Sequence, residues 1–218
     1  LGVVPICPPE IVSELLSIGG FTGDEEVETN LGVCSLREAL STRYEVHRVS
    51  KKWIENLGSK VVSDDGSIEI RIVSRDRVST SDGSSVISWK GSGEEGDTPS
   101  GYSQIMSPND STEVLWKKLT SDSKEMEDYI WTRDYIDTLR DFSNLSFSPQ
   151  EFIDGMDRLK PRLYSIASSP EHEPGTVHLT VGIVRYSHHD RDRAGLTTGY
   201  LSDRCLPHVT PIGVFMSP

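Results

Sequence analysis

Cysteine is scarce, basic residues are outnumbered, and no long apolar run is present. The 218-residue chain has three cysteines, Cys7, Cys34 and Cys205, odd in number and far apart. That spacing excludes a disulfide framework and the paired ligands of a zinc site, and it points to a reducing, cytoplasmic compartment. Lysine and arginine total 22 against 34 aspartates and glutamates, a formal net charge of −12. Such a balance argues against nucleic acid as the main partner, because binding a phosphate backbone draws on concentrated Lys and Arg. Nothing approaches the roughly 18 consecutive apolar residues of a membrane span. No basic start followed by an apolar middle marks a signal peptide. Hydrophobic residues make up 35% of the chain, enough for a core at a length that suits one large domain or two small ones. Opening on "LGVVP" and closing on "GVFMSP", the sequence reads as a piece of a longer protein.

What is present divides into a helical part and a β part. Residues 10–18, "EIVSELLSI", put Ile11, Leu15 and Ile18 on one helical stripe, widened by Val12 and Leu16 and bounded by Pro8-Pro9 and Gly19-Gly20. "SLREALSTRY" opens with Ser35 and Glu38 at capping-box spacing and predicts a second helix with Leu36, Ala39, Leu40 and Tyr44 facing inward. Residues 59–112 are instead dense in Ser, Gly, Asp and Thr. They predict a mobile surface insertion, with "IEIRIV" as a short strand inside it. Helical spacing returns in "EVLWKKL" and in "MEDYIWTRDYIDTLRDF", where Tyr129, Arg133, Ile136, Leu139 and Phe142 recur on one face. "SPQEFIDGMDRL" offers Ser148 as N-cap, Pro149 at the first helical position and Glu151 to close the box, with Phe152, Met156 and Leu159 facing inward. After Pro161 the period falls to two. In "TVHLTVGIVRY", Val177, Leu179, Val181 and Ile183 alternate with His178, Thr180, Gly182 and Val184, the pattern of a strand with one buried face.

Three stretches between residues 162 and 204 carry chemistry. In "RLYS", a strand places Arg162 and Tyr164 on one face and Leu163 and Ser165 on the other. A guanidinium pairs bidentately with a phosphate, and a phenol ring offers a flat face to a ring system. The pair suits a ligand with both parts, such as a flavin or nucleotide; a solvated edge strand has the same composition. In "GLTTGYLSDR", Gly195 and Gly199 bracket Leu196, Thr197 and Thr198. A helix starting there would present free backbone N–H groups and two hydroxyls to an anion; an ordinary threonine-capped loop is the other reading. "TVGIVRY", 180–186, lies between them. His188-His189-Asp190 has metal-ligand residue types but falls in a hairpin turn, where a solvated turn explains it. Trp53, Trp89, Trp116 and Trp131 are scattered and suit core packing, with Trp131 able to approach a ligand. The acidic surplus suits a solvated surface or a docking face for a basic partner.

Together, "PRLYSIASSP", "VHLTVGIVRY" and "RAGLTTGYLSDR" resemble the FAD-binding signature of the ferredoxin–NADP reductase superfamily. The likeness is greatest to its diflavin branch, which holds the NADPH sulfite reductase flavoprotein subunit and cytochrome P450 reductase. It is strong over 159–205, extends over 1–57 and 129–160, and leaves out 59–115. The resemblance implies an α+β fold. A helical connecting subdomain would occupy 1–160, with the Ser/Gly-rich insertion at about 59–115, and 161–218 would hold the C-terminal strands of a partial antiparallel β-barrel of the ferredoxin-reductase FAD-binding type. Flavodoxin-like and NADPH domains would lie outside this piece. By position, the resemblance implies Arg162 on the FAD pyrophosphate, with Leu163 beside it, Tyr164 stacked on the isoalloxazine, and Ser165 as the catalytic residue near the flavin N5. Thr180, Val181 and Gly182 would line the flavin and ribityl side and Tyr186 the adenine half, while Gly195, Leu196, Thr197 and Thr198 form the phosphate loop. His47 stands where the sulfite reductase family has a threonine touching FAD, and Thr197 where a smaller residue is usual. The implied function is an NADPH-dependent flavoprotein oxidoreductase. It would pass electrons from NADPH through FAD, and FMN in the longer protein, to a haem partner such as a sulfite reductase. A single-flavin ferredoxin- or nitrate-linked reductase, and a non-enzymatic scaffold with a degenerate flavin fold, are the alternatives.

Overall fold

The computed structural model describes residues 1–61 and 108–216. Strand β1 (Gly2–Val4) leads to helix α1 (Pro9–Gly19), which begins at a proline, as a first helical turn allows. Its buried side chains are Val12, Leu15 and Leu16, while Ile18 lies at the exposed margin of the stripe. A hairpin follows, β2 (Glu26–Thr29) paired with β3 (Gly32–Ser35). Helix α2 (Leu36–Thr42) starts at Ser35, whose hydroxyl accepts from the Glu38 N–H at 3.2 Å. The Glu38 carboxylate turns instead to Arg43 at 2.7 Å, so half of the expected capping box forms. Leu36, Ala39, Leu40 and Tyr44 are buried as the spacing predicted.

Helices α3 (Lys51–Asn56) and α4 (Gly58–Val61) complete the first described segment. The second opens with α5 (Pro108–Ser121), α6 (Ser123–Thr132), α7 (Tyr135–Asp141) and α8 (Pro149–Ile153). The flanks of the expected insertion are therefore helical, 59–61 in α4 and 108–115 in α5. Its remainder, with "IEIRIV" and Trp89, lies outside the described residues. A second difference falls at Arg133. The helical face read through Tyr129 and Phe142 divides there, because Arg133 is extended (φ −119°, ψ 147°) and Asp134 caps a new helix. The Asp134 carboxylate accepts from the Asp137 N–H at 3.0 Å, and that of Asp137 accepts from the Asp134 N–H at 3.2 Å. A reciprocal cap of this kind satisfies two otherwise orphaned donors, which offsets the helix interruption. The Ser148–Glu151 box forms in full. Helix α8 then stops short because Gly155 has φ +88°, and a Cβ there would sit 3.3 Å from the Trp53 backbone. Met156 consequently reaches the core from beyond the helix end rather than from its face.

The core is built around Trp53. Its ring meets Tyr135 edge-on at 5.1 Å and stacks on Phe147 at 5.7 Å, and its Nε1 donates to the Phe152 carbonyl at 2.9 Å. The Tyr135 hydroxyl accepts from the Ser50 N–H at 3.2 Å, tying α7 to the start of α3.

The later strands are β4 (Arg162–Leu163), β5 (Arg185–His188), β6 (Arg191–Ala194) and β7 (Gly213–Phe215), with a short helix α9 (Leu196–Gly199) after β6. The first strand lies between β4 and β7 in an antiparallel sheet, and among the described residues β5 pairs only with β6. The structure is thus mixed helix with small antiparallel sheets. The strand expected over 177–186 pairs regularly only from Arg185 onward, with one earlier bridge between Ile166 and Leu179. Val177 and Ile183 are exposed, so the buried face read from the alternation is not covered among the described residues. Alternation records which side chains share a face, but a ladder also needs a neighbouring strand, and there 177–183 has only the single bridge. All three cysteines are free, and no described helix is long and apolar enough to cross a membrane. Replacing Trp53 by Ala removes the ring on which three aromatics converge and should cost about 3–5 kcal/mol of unfolding free energy, read from urea denaturation. A loss below about 1 kcal/mol would show that the core re-forms without it.

Candidate functional site

The "RLYS" segment is fixed by backbone pairing. Val3 faces Arg162 and Gly2 faces Leu163 across the β1–β4 ladder. The Tyr164 N–H donates to the Leu1 carbonyl at 2.9 Å, and the Leu1 amino group donates to the Tyr164 carbonyl at 2.8 Å. Arg162 donates through Nη1 to the Lys160 carbonyl at 2.9 Å and through Nη2 to Glu45 at 3.2 Å, while its side chain stays 46% exposed. That leaves a guanidinium aimed by the protein yet open to a ligand.

The glycine–threonine loop is fixed against Val184. The Gly195 N–H donates to the Val184 carbonyl at 2.9 Å, and the Val184 N–H donates to the Thr198 hydroxyl at 3.3 Å. A Cβ on Gly195 would lie 2.6 Å from that hydroxyl and 3.1 Å from the Val184 Cβ, so the approach needs glycine. No side chain caps α9, leaving its first-turn N–H groups without the partner that an N-cap residue supplies. The helix runs directly into a π turn, Tyr200–Arg204.

These two segments meet at a cleft of about 380 Å³, to which Arg162, Leu163 and Tyr164 contribute from one side of the sequence and Gly195, Leu196, Thr197 and Thr198 from the other. Thr197 is 3% exposed, and its buried hydroxyl has no hydrogen-bond partner. A buried polar atom left unpaired is costly and uncommon, and the hydroxyl is free to bond a ligand. The donor set, namely one guanidinium, uncapped N–H groups and an unpaired hydroxyl, fits the pyrophosphate of FAD. Tyr164 supplies an aromatic ring at the same cleft.

A neighbouring cleft of about 540 Å³ shares Arg162, Gly195 and Leu196 and adds Tyr186, His47, Arg48, Trp131, Arg133 and Arg193. Four arginines thus gather in a chain whose net charge is −12. Arg48, Arg133 and Arg193 are absent from the sequence-based site. Arg133 reaches the cleft because Asp134 breaks the helix behind it, and the capping potential of that aspartate was the available signal. Trp131 is 81% exposed at this cleft, so it is a rim residue and not a core one. The Nδ1 of His47 is buried without a hydrogen-bond partner. Burial lowers the pKa of this imidazole, Glu45 pulls it up, and Arg204, Arg193 and Arg191 push it down again; the outcome lies below the ordinary histidine range.

Of the remaining sequence-predicted residues, Ser165, Thr180, Val181 and Gly182 line neither of these clefts, although Ser165 follows Tyr164 directly and is exposed. Thr180 and Gly182 are exposed and Val181 is half-buried. His189 and Asp190 occupy the tight turn of the β5–β6 hairpin at φ +50° and +55°, and no group of metal-ligating side chains forms among the described residues.

Comparison with known proteins bears on this arrangement. The sequence matches the FAD binding domain family over residues 104–200, a span that includes both the "RLYS" and "GLTTG" segments. The NADPH sulfite reductase flavoprotein alpha-component of Bacillus subtilis is 29% identical over 209 residues, covering 95% of this chain and 27% of the relative. That of Photorhabdus laumondii is 28% identical over 208 residues, again 95% of this chain and 26% of the relative. The corresponding component of Mannheimia succiniciproducens is 42% identical over 105 residues, 47% of this chain and 17% of the relative. The chain spans about a quarter of the length of the relatives it matches most fully. The resemblance seen in the motifs is borne out: over nearly its whole length this chain is similar to the flavoprotein components of NADPH sulfite reductases, and residues 104–200 match the FAD binding domain family.

Proposed function

We propose that this chain is the FAD-cradling portion of an NADPH-dependent flavoprotein reductase of the sulfite reductase type. The observation that carries the reading is the cleft itself. Arg162 and Tyr164 from one segment meet Gly195–Thr198 from another, and the buried Thr197 hydroxyl there lacks a partner. The strands of 161–218 would then be part of an antiparallel barrel completed by other segments of a longer protein, with the helices of 1–160 as the connecting subdomain. A cytoplasmic setting, with three free thiols, suits it.

The chain's own residues divide the work. Arg162 holds the pyrophosphate by charge-assisted hydrogen bonds. The N–H groups at the start of α9 and the Thr197 hydroxyl take the remaining phosphate oxygens. Tyr164, with Leu163 beside it, would cover the flavin ring; Thr180, Val181 and Gly182, outside both clefts, would reach the ribityl side only where the bound cofactor extends beyond them. Ser165, next to Tyr164 in sequence, would stand at the reactive edge of the ring, where its hydroxyl could donate a hydrogen bond. The neighbouring cleft, with Tyr186, Trp131 and Arg133, takes the adenine half. When bound, FAD supplies a centre that accepts a hydride and returns electrons singly. In the longer protein those electrons would come from NADPH and pass by way of FMN to a haem protein.

Flavin retained by the purified full-length protein tests the cradle. Arg162→Ala should weaken FAD binding by roughly 10- to 100-fold and Thr197→Val by about fivefold, the scale of a lost charge-assisted and a lost neutral hydrogen bond. Flavin content equal to that of the unmodified protein in both variants would sink the proposal.

The low pKa of His47 also has a consequence in pH. The folded state resists protonation of this imidazole, while the unfolded chain takes the proton near its ordinary pKa of about 6.5. The contribution to stability is therefore present above about pH 6.5 and is lost as the pH falls through the lower folded value. Thermal unfolding between about pH 7 and 5 should show a steeper fall in Tm for the parent than for His47→Gln. Parallel curves would remove His47 as the source.

A further inference from the structure

Four charges gather beside the cleft, the two aspartates buried and the two arginines largely so. Asp134 and Asp137 open α7, and Arg191 and Arg193 stand two residues apart on β6, which puts them on one face of the strand. Arg191 donates through Nη1 to both oxygens of Asp134, at 2.9 and 2.8 Å, and to Asp137 at 3.1 Å. Arg193 donates through Nη2 to Asp137, and its Nη1 lies 3.5 Å from Asp134. Side-chain exposure is 6% for each aspartate, 7% for Arg193 and 15% for Arg191. Glu14 on α1 adds a contact to Arg191 at 3.9 Å. Burial alone would raise the Asp137 carboxyl; hydrogen bonds from Arg193, from the Asp134 N–H and from Arg191 outweigh it and hold the group low. Buried charges persist when they are paired in this way.

The geometry gives this cluster a task. The β5–β6 hairpin has no third strand among the described residues, and every residue of β5 is exposed. A lone two-stranded hairpin is marginal in water, so its place against the helices is set by what holds Arg191 and Arg193. Two residues past Arg193 the chain enters Gly195 and the loop of the cleft. Arg193 also lines the neighbouring cleft, and its Nε is buried without a partner.

We infer that Arg193, gripped by Asp137 and Asp134, is a positioning residue: it holds the Gly195–Thr198 loop where the loop and Arg162 grasp one diphosphate together. The inference rests on the FAD reading above. Full-length protein carrying Arg193→Gln should bind FAD about 10- to 100-fold more weakly, the scale of a misplacement near 1 Å. The phosphorus NMR resonances of its bound FAD should shift, and Arg193→Lys should recover part of the affinity. Should Arg193→Gln fail to fold, the paired Arg193→Gln/Asp137→Asn exchange, neutral on both sides, gives the same readout. A folded variant with lower Tm but unchanged FAD affinity and phosphorus resonances overturns the inference and leaves the FAD reading standing. Unmodified protein that binds no FAD overturns both.

Discussion

Two carboxylates at the start of one short helix constrain much of this molecule. Asp134 and Asp137 cap α7 against each other, and the same oxygens receive the guanidinium groups of Arg191 and Arg193. Taking four such charges out of water is unfavourable unless each is matched by a partner of opposite sign and by hydrogen bonds to its remaining atoms. The match is found by joining residues more than 50 apart in sequence. It therefore couples the helical part of the chain to the hairpin that feeds the glycine–threonine loop. Aromatic packing around Trp53 then holds α7 on α3, so the hairpin is referred to the core through a buried polar contact, not through a sheet.

Much of the helical part was legible in the sequence because it is governed by local rules. The stripe at Val12, Leu15 and Leu16, the face at Leu36, Ala39 and Leu40, and the Ser148–Glu151 box all depend on residues within one or two turns. The break at Arg133 was written in the same alphabet, since Asp134 and Asp137 have N-cap spacing, but the apolar recurrence from Tyr129 to Phe142 outweighed it. The β part was harder to read. Alternation over 177–183 states which residues share a face, and says nothing of whether a partner strand lies alongside. Arg162, Tyr164 and Gly195–Thr198 do come together, because the resemblance linked segments that local periodicity cannot. Arg48, Arg133 and Arg193 stayed hidden for the same physical reason: each arrives by tertiary contact, from three different parts of the chain.

The charge distribution also looks different in space than in composition. A net charge of −12 describes an acidic protein, yet arginines gather where two clefts adjoin. Three of the four are held by carboxylates, Arg162 by Glu45, Arg133 by Asp141 and Arg193 by Asp134 and Asp137, which keeps the concentration from being visible in any total. Guanidinium groups held in place by such carboxylates still present N–H donors to the clefts, so composition that argued against long polyanions is compatible with a small diphosphate.

The contact between Arg162 and Glu45 bears on how such an anion would be received. A free arginine side chain samples many rotamers, and ordering it at the moment of binding takes away from affinity. Here Glu45, only 10% exposed, already fixes the guanidinium from one side while the other side stays open. The ordering is completed when the chain folds. An arriving phosphate meets a rigid host and not a flexible arm, and recognition at this cleft becomes a matter of fit to a preset shape.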